Sequence, residues 1–246
     1  MTGKSNCSIV HGGIIAAGQG TRLRADGYRV SKPMVPVGGR PLIERTLDRF
    51  RAVGIRRLSV IINDASNDCR QWLGDHARDF DIDLIVRTTP SSYASFQILT
   101  QRLLGAPAVI TTVDAVMPES AFGAFIESAA AVANNAVALG LTHHVDDEDP
   151  LWATIDSNSR IRQLGGSRGT HVTAGLYWLP QQWTPESVTH FARLRDYLCW
   201  LVAQHQSVYG IVLSRVFDID RARDVAAAEA AEFGLEHGVM ETHVRG

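Results

Sequence analysis

Apolar positions along this chain fall into two recurring patterns. One is the short run that is apolar almost throughout, at 14–17, 58–62, 84–86, 109–113, 136–141, 172–179 and 208–213, each of strand length. The run at 14–17 is unbroken, as expected of a strand buried on both faces of a parallel sheet. The other is helical spacing: Leu42, Ile43, Leu47, Phe50 and Val53 recur until Gly54 offers a stop, and Pro41 stands where a first turn tolerates a missing N–H. Further helices are expected over 68–77, 93–104, 118–132 and 197–202. The segment 216–225 reads as the end of the sheet and the start of a last helix. Strand and helix in alternation predict an α/β fold, three layers deep and Rossmann-like, with a mostly parallel mixed sheet and right-handed crossovers. Leu151 to Ile155 and Arg160 to Leu164, joined by a polar tetrapeptide, read as a hairpin added to that plan.

The chemistry concentrates after the first strand. In Gly13-Ile14-Ile15-Ala16-Ala17-Gly18-Gln19-Gly20-Thr21-Arg22-Leu23, an apolar run enters a glycine-bearing turn, and Lys32-Pro33 follows ten residues on. Gly18 and Gly20 permit positive φ and a close backbone approach, so that successive N–H groups converge on phosphate oxygens. Arg22 supplies a planar fork of donors and Lys32 a mobile point charge. The dinucleotide fingerprint is excluded, because Leu23 stands where its third glycine belongs and Asn63-Asp64 comes too late to hold a ribose. A Walker loop is excluded as well, since no Gly-Lys-Ser/Thr follows. On the glycines alone, a structural turn and a phosphate cradle stay level.

Composition narrows the function classes. The 246 residues suffice for one core, and a single domain over 1–246 is expected. The net charge of -2 and the absence of a Lys/Arg cluster argue against nucleic acid as a partner. Cys7, Cys69 and Cys199 are odd in number and lack metal-ligand spacing, which suits reduced thiols and a cytoplasmic location. The first eleven residues lack the apolar core of a signal peptide, and no stretch approaches the roughly 18 apolar residues of a membrane span.

The segment from Gly13 to Leu23, followed by Lys32-Pro33-Met34-Val35-Pro36-Val37-Gly38-Gly39-Arg40-Pro41-Leu42-Ile43-Glu44, resembles the signature of the sugar-phosphate nucleotidyltransferases, or nucleotide-sugar pyrophosphorylases. The resemblance implies a GT-A-like fold with a nucleotide-binding half over about 10–115 and an acceptor-binding half over about 116–232. By position it assigns Ala16, Ala17, Gly18, Gly20 and Thr21 to nucleotide binding, and Arg22 and Lys32 to the phosphates as catalytic residues. Ser92 and Ser95 fall where the family lays small residues against the nucleobase, and they serve equally as helix caps.

Asp114 ends the strand at 109–113 on the carboxyl edge, where open α/β sheets place ligands. By itself it reads as a turn or capping aspartate; the resemblance makes it a metal ligand, with Val113 where the family has glycine. Val216-Phe217-Asp218-Ile219-Asp220 resembles the closing motif, with Asp218 as second metal ligand and Asp220 as the alternative or as a cap of the last helix. Gly175 and Tyr177 lie on a strand resembling the one that lines the acceptor's sugar, although tight sheet packing also asks for a glycine there. The lysine usual after the hairpin is replaced by Gly165-Gly166-Ser167-Arg168. His143 to Asp149 reads as a solvated loop and not as a metal site, because adjacent histidines in a strand face opposite sides.

The implied cofactor is Mg²⁺, a hard cation that prefers oxygen ligands. The implied reaction is attack by the phosphate of a sugar 1-phosphate on the α-phosphorus of an NTP, giving an NDP-sugar and pyrophosphate. Two alternatives stand beside it: a cytidylyltransferase acting on a phosphorylated alcohol, cyclitol or phosphonate, and a non-catalytic nucleotide-binding module. Partners are thus an NTP and a phosphorylated small molecule, with the polar tail beyond Glu232 as a candidate homo-oligomer contact. Lys32→Ala is expected to lower turnover with little loss of fold, since lysine is rarely a core residue.

Overall fold

The computed structural model describes residues 10–132, 135–145, 148–184, 191–204 and 206–241, with side chains of the last helix as far as Ala231. Cys7, Asp146, Asp147 and the polar tail's side chains fall outside these. The first half comprises β1 (His11–Ala16), α1 (Thr21–Ala25), β2 (Pro36–Val37), β3 (Arg40–Pro41), α2 (Leu42–Ala52), β4 (Arg57–Ile62), α3 (Asn67–His76), β5 (Asp81–Val86), α4 (Ser92–Arg102) and β6 (Ala108–Thr112). The second half comprises β7 (Ala115–Val116), α5 (Glu119–Val132), β8 (Val137–Thr142), β9 (Trp152–Ile155), β10 (Ile161–Leu164), β11 (His171–Leu179), α6 (Leu194–Ala203), β12 (Val208–Leu213), β13 (Phe217–Asp218) and α7 (Ala222–Glu241).

Nine of these strands form one mixed sheet in the order β10-β9-β11-β6-β1-β4-β5, with β8 joined to β11 and carrying β12. β6, β1, β4 and β5 run parallel, with Ile14 opposite Val60 on one side and Thr111 on the other. β11 lies antiparallel to β6 and β8 and carries the sheet onward to the β9–β10 hairpin.

Successive strand residues point to opposite faces, and both faces are covered. Ile14, Val60, Ile62 and Val109 pack with Phe50 of α2, Cys69 of α3, Phe122 and Phe125 of α5, and Val225 of α7. Ile61, Ile110 and Tyr177 pack on the other side with Phe96 and Leu99 of α4 and with Tyr197 and Leu201 of α6. The result is three layers, with the carboxyl ends of the parallel strands opening on one edge.

Four details depart from the sequence-based expectation. β5 starts at Asp81 and not at 84, because exposed Asp81 alternates with half-buried Ile82 on an edge strand, a pattern that a search for apolar runs overlooks. Five residues after the glycine turn form α1, held by the fully buried Leu23. Gly20 takes positive φ (61°), whereas Gly18 is absent from the residues that do. Finally, β13 does not end the main sheet: it pairs with β7 in a separate antiparallel ribbon.

Candidate active site

The site is assembled from segments remote in sequence. At the end of the β1 turn, Gly20 in the left-handed region starts α1, and a Cβ there would lie 3.0 Å from the Cβ of Lys32. The glycine thus lets the turn pack directly on the lysine stem. Lys32 opens a short 3-10 turn to Met34, and the preceding residue is anchored by the Ser31 N–H, which donates to Asp68 Oδ2 at 2.8 Å.

Lys32 is buried, with 8% of its side chain exposed. Its Nζ donates to Asp114 Oδ2 and to Asp220 Oδ1, both at 2.5 Å. Arg22 donates from Nη1 to the second oxygen of Asp220 at 3.0 Å. Burial by itself would depress the lysine pKa, but Asp114, Asp220 and Asp218 outweigh it and hold the ammonium well above its ordinary value. Asp220 shows the reciprocal effect: burial would raise its pKa, and Lys32 and Arg22 pull it below the ordinary carboxylate value.

The β7–β13 ribbon brings the acids together. Asp114 follows β6 directly, Asp218 sits opposite Ala115, and the Ile219 N–H donates to the Asp114 carbonyl at 3.1 Å. One carboxylate oxygen from each of Asp114, Asp218 and Asp220 falls within 4.8 Å of the others. Three anionic oxygens on neighbouring backbone segments are the donor set that a hard divalent cation takes, with water and phosphate completing the sphere, so these residues fit Mg²⁺.

Asp220 does not cap the last helix. Asp224 Oδ2 accepts the N–H groups of Asp220 and Arg221, and Asp26 Oδ2 accepts that of Ala222. The capping role is filled by other carboxylates, and the side chain of Asp220 turns to Lys32 and Arg22.

Two cavities flank this centre. One, of about 430 Å³, is bounded by Asp114 and Asp218, by Gly175 and Tyr177 on β11, and by Arg193 and Arg195 at the start of α6. Its size lies within the range of small-molecule pockets. The other, of about 280 Å³, runs from Ala17, Gly18 and Lys32 to Thr89, Ser92 and Ser95. A neighbouring hollow is lined by Arg24, Arg29, Asn63 and Thr88. Ala16 is buried behind the turn, and Thr21 is the exposed first residue of α1.

The serines divide differently from the expectation. Ser91 caps α4 by accepting the Ala94 N–H at 3.1 Å, while Ser92 Oγ accepts the Leu194 N–H of α6 at 2.9 Å. Ser95 is buried, with its hydroxyl 2.6 Å from Thr89 Oγ1. Gly175 has φ 63°, at the register shift between Thr173 and Tyr177, and a Cβ on it would collide with Thr112 Oγ1. Backbone geometry demands this glycine whether or not a ligand approaches. The tyrosine two residues on is buried, and burial together with Asp114 and Asp218 raises its phenol pKa.

The acidic loop is not merely solvated. Glu148 pairs with Arg221 at 3.1 Å and with Arg223 at 2.8 Å, and Asp149 pairs with Arg195 at 2.6 Å. Sequence reasoning missed Arg193, Arg195 and Asn63 as lining residues; none stands in a motif, and the fold brings them to the sheet's carboxyl edge.

Comparison with known proteins agrees with this geometry. Residues 12–176 match the family model of the MobA-like NTP transferase domain. A 79-residue stretch is 30% identical to CMP-5'-(3-aminopropyl)phosphonate synthase of Streptomyces rubellomurinus, covering 32% of this chain and 13% of that protein. A 93-residue stretch is 28% identical to glucose-1-phosphate thymidylyltransferase of Streptomyces griseus, covering 37% of this chain and 26% of that protein. The chain therefore spans only a minor part of the length of these curated relatives. The fold is similar to that of the inositol-1-phosphate CTP transferase from T. maritima, with a TM-score of 0.74, 17% identity, and coverage of 91% of this chain and 97% of that one. No helix among the described residues is long and apolar enough to cross a membrane.

Proposed function

This chain belongs to the MobA-like NTP transferase family, and from that membership we propose that it is a nucleotidyltransferase that moves an NMP from an NTP to the phosphate of a sugar 1-phosphate, releasing pyrophosphate. The observation that carries the reading is the meeting of Lys32 with Asp114 and Asp220, 2.5 Å from each, at the mouth of the glycine turn. A buried cation and an acidic cluster at one point serve a reaction between two anions.

The acceptor phosphate is already a nucleophile, so no covalent intermediate with the protein is needed. The chain has to align the two reactants and neutralise the charge that builds between them. Gly18, Gly20 and Thr21 hold the triphosphate with backbone N–H groups, and Lys32 and Arg22 exchange their carboxylate partners for phosphate oxygens. Asp114, Asp218 and Asp220 would hold Mg²⁺, which when bound screens the negative charge of the phosphates. The base lies in the cavity of Ala17, Thr89 and Ser95, and the acceptor in that of Gly175, Tyr177 and Arg195.

The second reading keeps the fold and changes the acceptor to a phosphorylated alcohol, cyclitol or phosphonate, with CTP as donor. The likeness to the phosphonate synthase and the glycines at 165 and 166, both at positive φ, in place of a lysine favour it. Pyrophosphate release measured with Mg²⁺ and each NTP, crossed against sugar 1-phosphates and phosphorylated alcohols, separates the two. Release with a sugar 1-phosphate is expected. Release with only the other acceptors selects the second reading, and NTP binding without release under any combination leaves a non-catalytic binding module.

A further inference from the structure

Among the buried residues of α2, one carries a charge. Leu42, Ile43, Leu47 and Phe50 are apolar, but Arg49 is also buried, with only 3% of its surface exposed. A cation taken out of water loses several kcal/mol of hydration, and an apolar residue at the same place is often no less stable. The fold therefore gives no reason for an arginine here.

Its contacts do. Nη1 donates a short hydrogen bond to the carbonyl of Ala115, and Nη2 donates to Thr46 Oγ1 at 2.9 Å. The Thr46 hydroxyl in turn donates to the Leu42 carbonyl at 2.9 Å, which fixes the arginine's support to the first turn of α2. Nε is buried without a partner. The guanidinium lies 5.9 Å from the ring centroid of Phe122, itself packed edge-on against Phe50. Both bonded oxygens are neutral, so the cation is not there to close a local ion pair.

Ala115 is the residue after Asp114 and stands opposite Asp218 in the β7–β13 ribbon. Two residue pairs are far too few to hold a ribbon by themselves. This ribbon also carries Asp218 and follows directly on Asp114, two of three carboxylates that repel one another across 4.8 Å or less. The Ala115 carbonyl belongs to the Ala115-Val116 peptide, the second after Asp114, and the guanidinium holds that plane while the Ile219 N–H holds the Asp114 carbonyl before it. Burial and the neighbouring Arg45 push the Arg49 pKa down to about 9, with Asp114 and Glu119 opposing them, so the guanidinium still carries its charge at neutral pH.

We propose that Arg49 is a positioning residue for the acidic cluster, holding the Ala115-Val116 peptide of β7 so that Asp114, which precedes it, and Asp218, which faces it, keep the spacing a divalent cation needs. It touches neither substrate nor metal, and the idea rests on the metal-binding role of the cluster proposed above.

The test is Mn²⁺ binding to the full chain, followed by paramagnetic resonance, in wild type, Arg49→Met and Arg49→Lys, with melting temperature and amide exchange measured on the same samples. Arg49→Met should weaken Mn²⁺ binding at least tenfold with a melting temperature within a few degrees of wild type. Amide exchange should rise locally, at the Ile219 N–H bonded to Asp114, and not across the sheet. Arg49→Lys, with the charge and one donor kept, should recover part of the affinity.

Wild-type affinity in Arg49→Met overturns the proposal, and so does a loss of affinity that comes with lost protection throughout the sheet. Should Arg49→Met fail to fold, Arg49→Lys decides: weaker Mn²⁺ binding with local exchange supports the role, and unchanged binding ends it. If wild type itself binds no Mn²⁺, the metal reading of the cluster fails and this inference with it. Binding by wild type and Arg49→Met alike removes only Arg49.

Discussion

Lys32 combines burial, charge and two carboxylate partners in one side chain, and the expectation that its loss leaves the fold untouched does not survive that burial. Lys32→Met keeps the length and removes the charge, leaving three acids to repel one another. Removing one member of a buried pair costs about 3–5 kcal/mol. Asp114 and Asp220 are 20% and 36% exposed, so solvent screening brings the expected loss nearer about 2 kcal/mol. For a chain of this length that is a melting shift of about 4–8 °C. The pKa of Lys32 is raised in the folded state, so its contribution is in full force below the ordinary value of 10.5 and is lost as pH rises through the folded value. That of Asp220 is lowered, so its contribution is in force above 3.8 and is lost as pH falls through the folded value. The gap in melting temperature between Lys32→Met and wild type should accordingly be constant between those two limits and close in acid. A gap that does not narrow as pH falls below 3.8 would show that the loss is packing and not charge. Turnover should fall on the order of 10²-fold or more. None of the burial was legible in the sequence, because the carboxylates come from 82 and 188 residues away. The lysine itself was legible, since it stands at a fixed interval after the glycine turn. Arg49 was invisible, since a basic residue in an amphipathic helix reads as part of the wet face.

Strands buried on both faces announce themselves as apolar runs, and β1, β4, β6 and β8 were legible for that reason. Two-residue strands carry no period at all, so β7 and β13, which set the spacing of Asp114 and Asp218, could not be read. β11 shows the same limit in another form. Its length was readable, but not the kink at Gly175, where φ of 63° coincides with the register shift against β8. An alanine there must adopt a left-handed backbone and push into Thr112 at the end of β6. Gly175→Ala should therefore cost about 1–3 kcal/mol, read as a lower midpoint in urea. A further expectation is that KM for the acceptor rises, because Tyr177 shares both the strand and the cavity. An unchanged midpoint would mean that β11 accommodates the Cβ by sliding, and the glycine would then matter only to the ligand.

At the scale of the whole molecule, the chain closes on itself through its last segment. The net charge is only -2, yet Arg22 and Lys32 meet on one edge, and Asp220 returns from far along the chain to pair with both, with Asp218 acting on Lys32 beside it. The same segment is packed as well as paired: Ile219, Val225 and Ala228 are fully or almost fully buried against the face that carries Phe50 and Phe122. Further hydrogen bonds tie it to the first half, from the Ala222 N–H to Asp26 and from the Gly38 N–H to Glu229, both at short range (2.9 and 2.8 Å). A chain ending after Arg215 loses these buried side chains, worth about 5 kcal/mol at the usual value per apolar residue, out of a total stability of about 5–15 kcal/mol. It should unfold at a clearly lower temperature, bind a hydrophobic dye through the uncovered face, and no longer bind Mn²⁺. Lost Mn²⁺ binding with an unchanged melting temperature would mean that the segment supplies ligands without supporting the fold. Retained Mn²⁺ binding would move the metal site away from Asp218 and Asp220, since Asp114 would be its only remaining member.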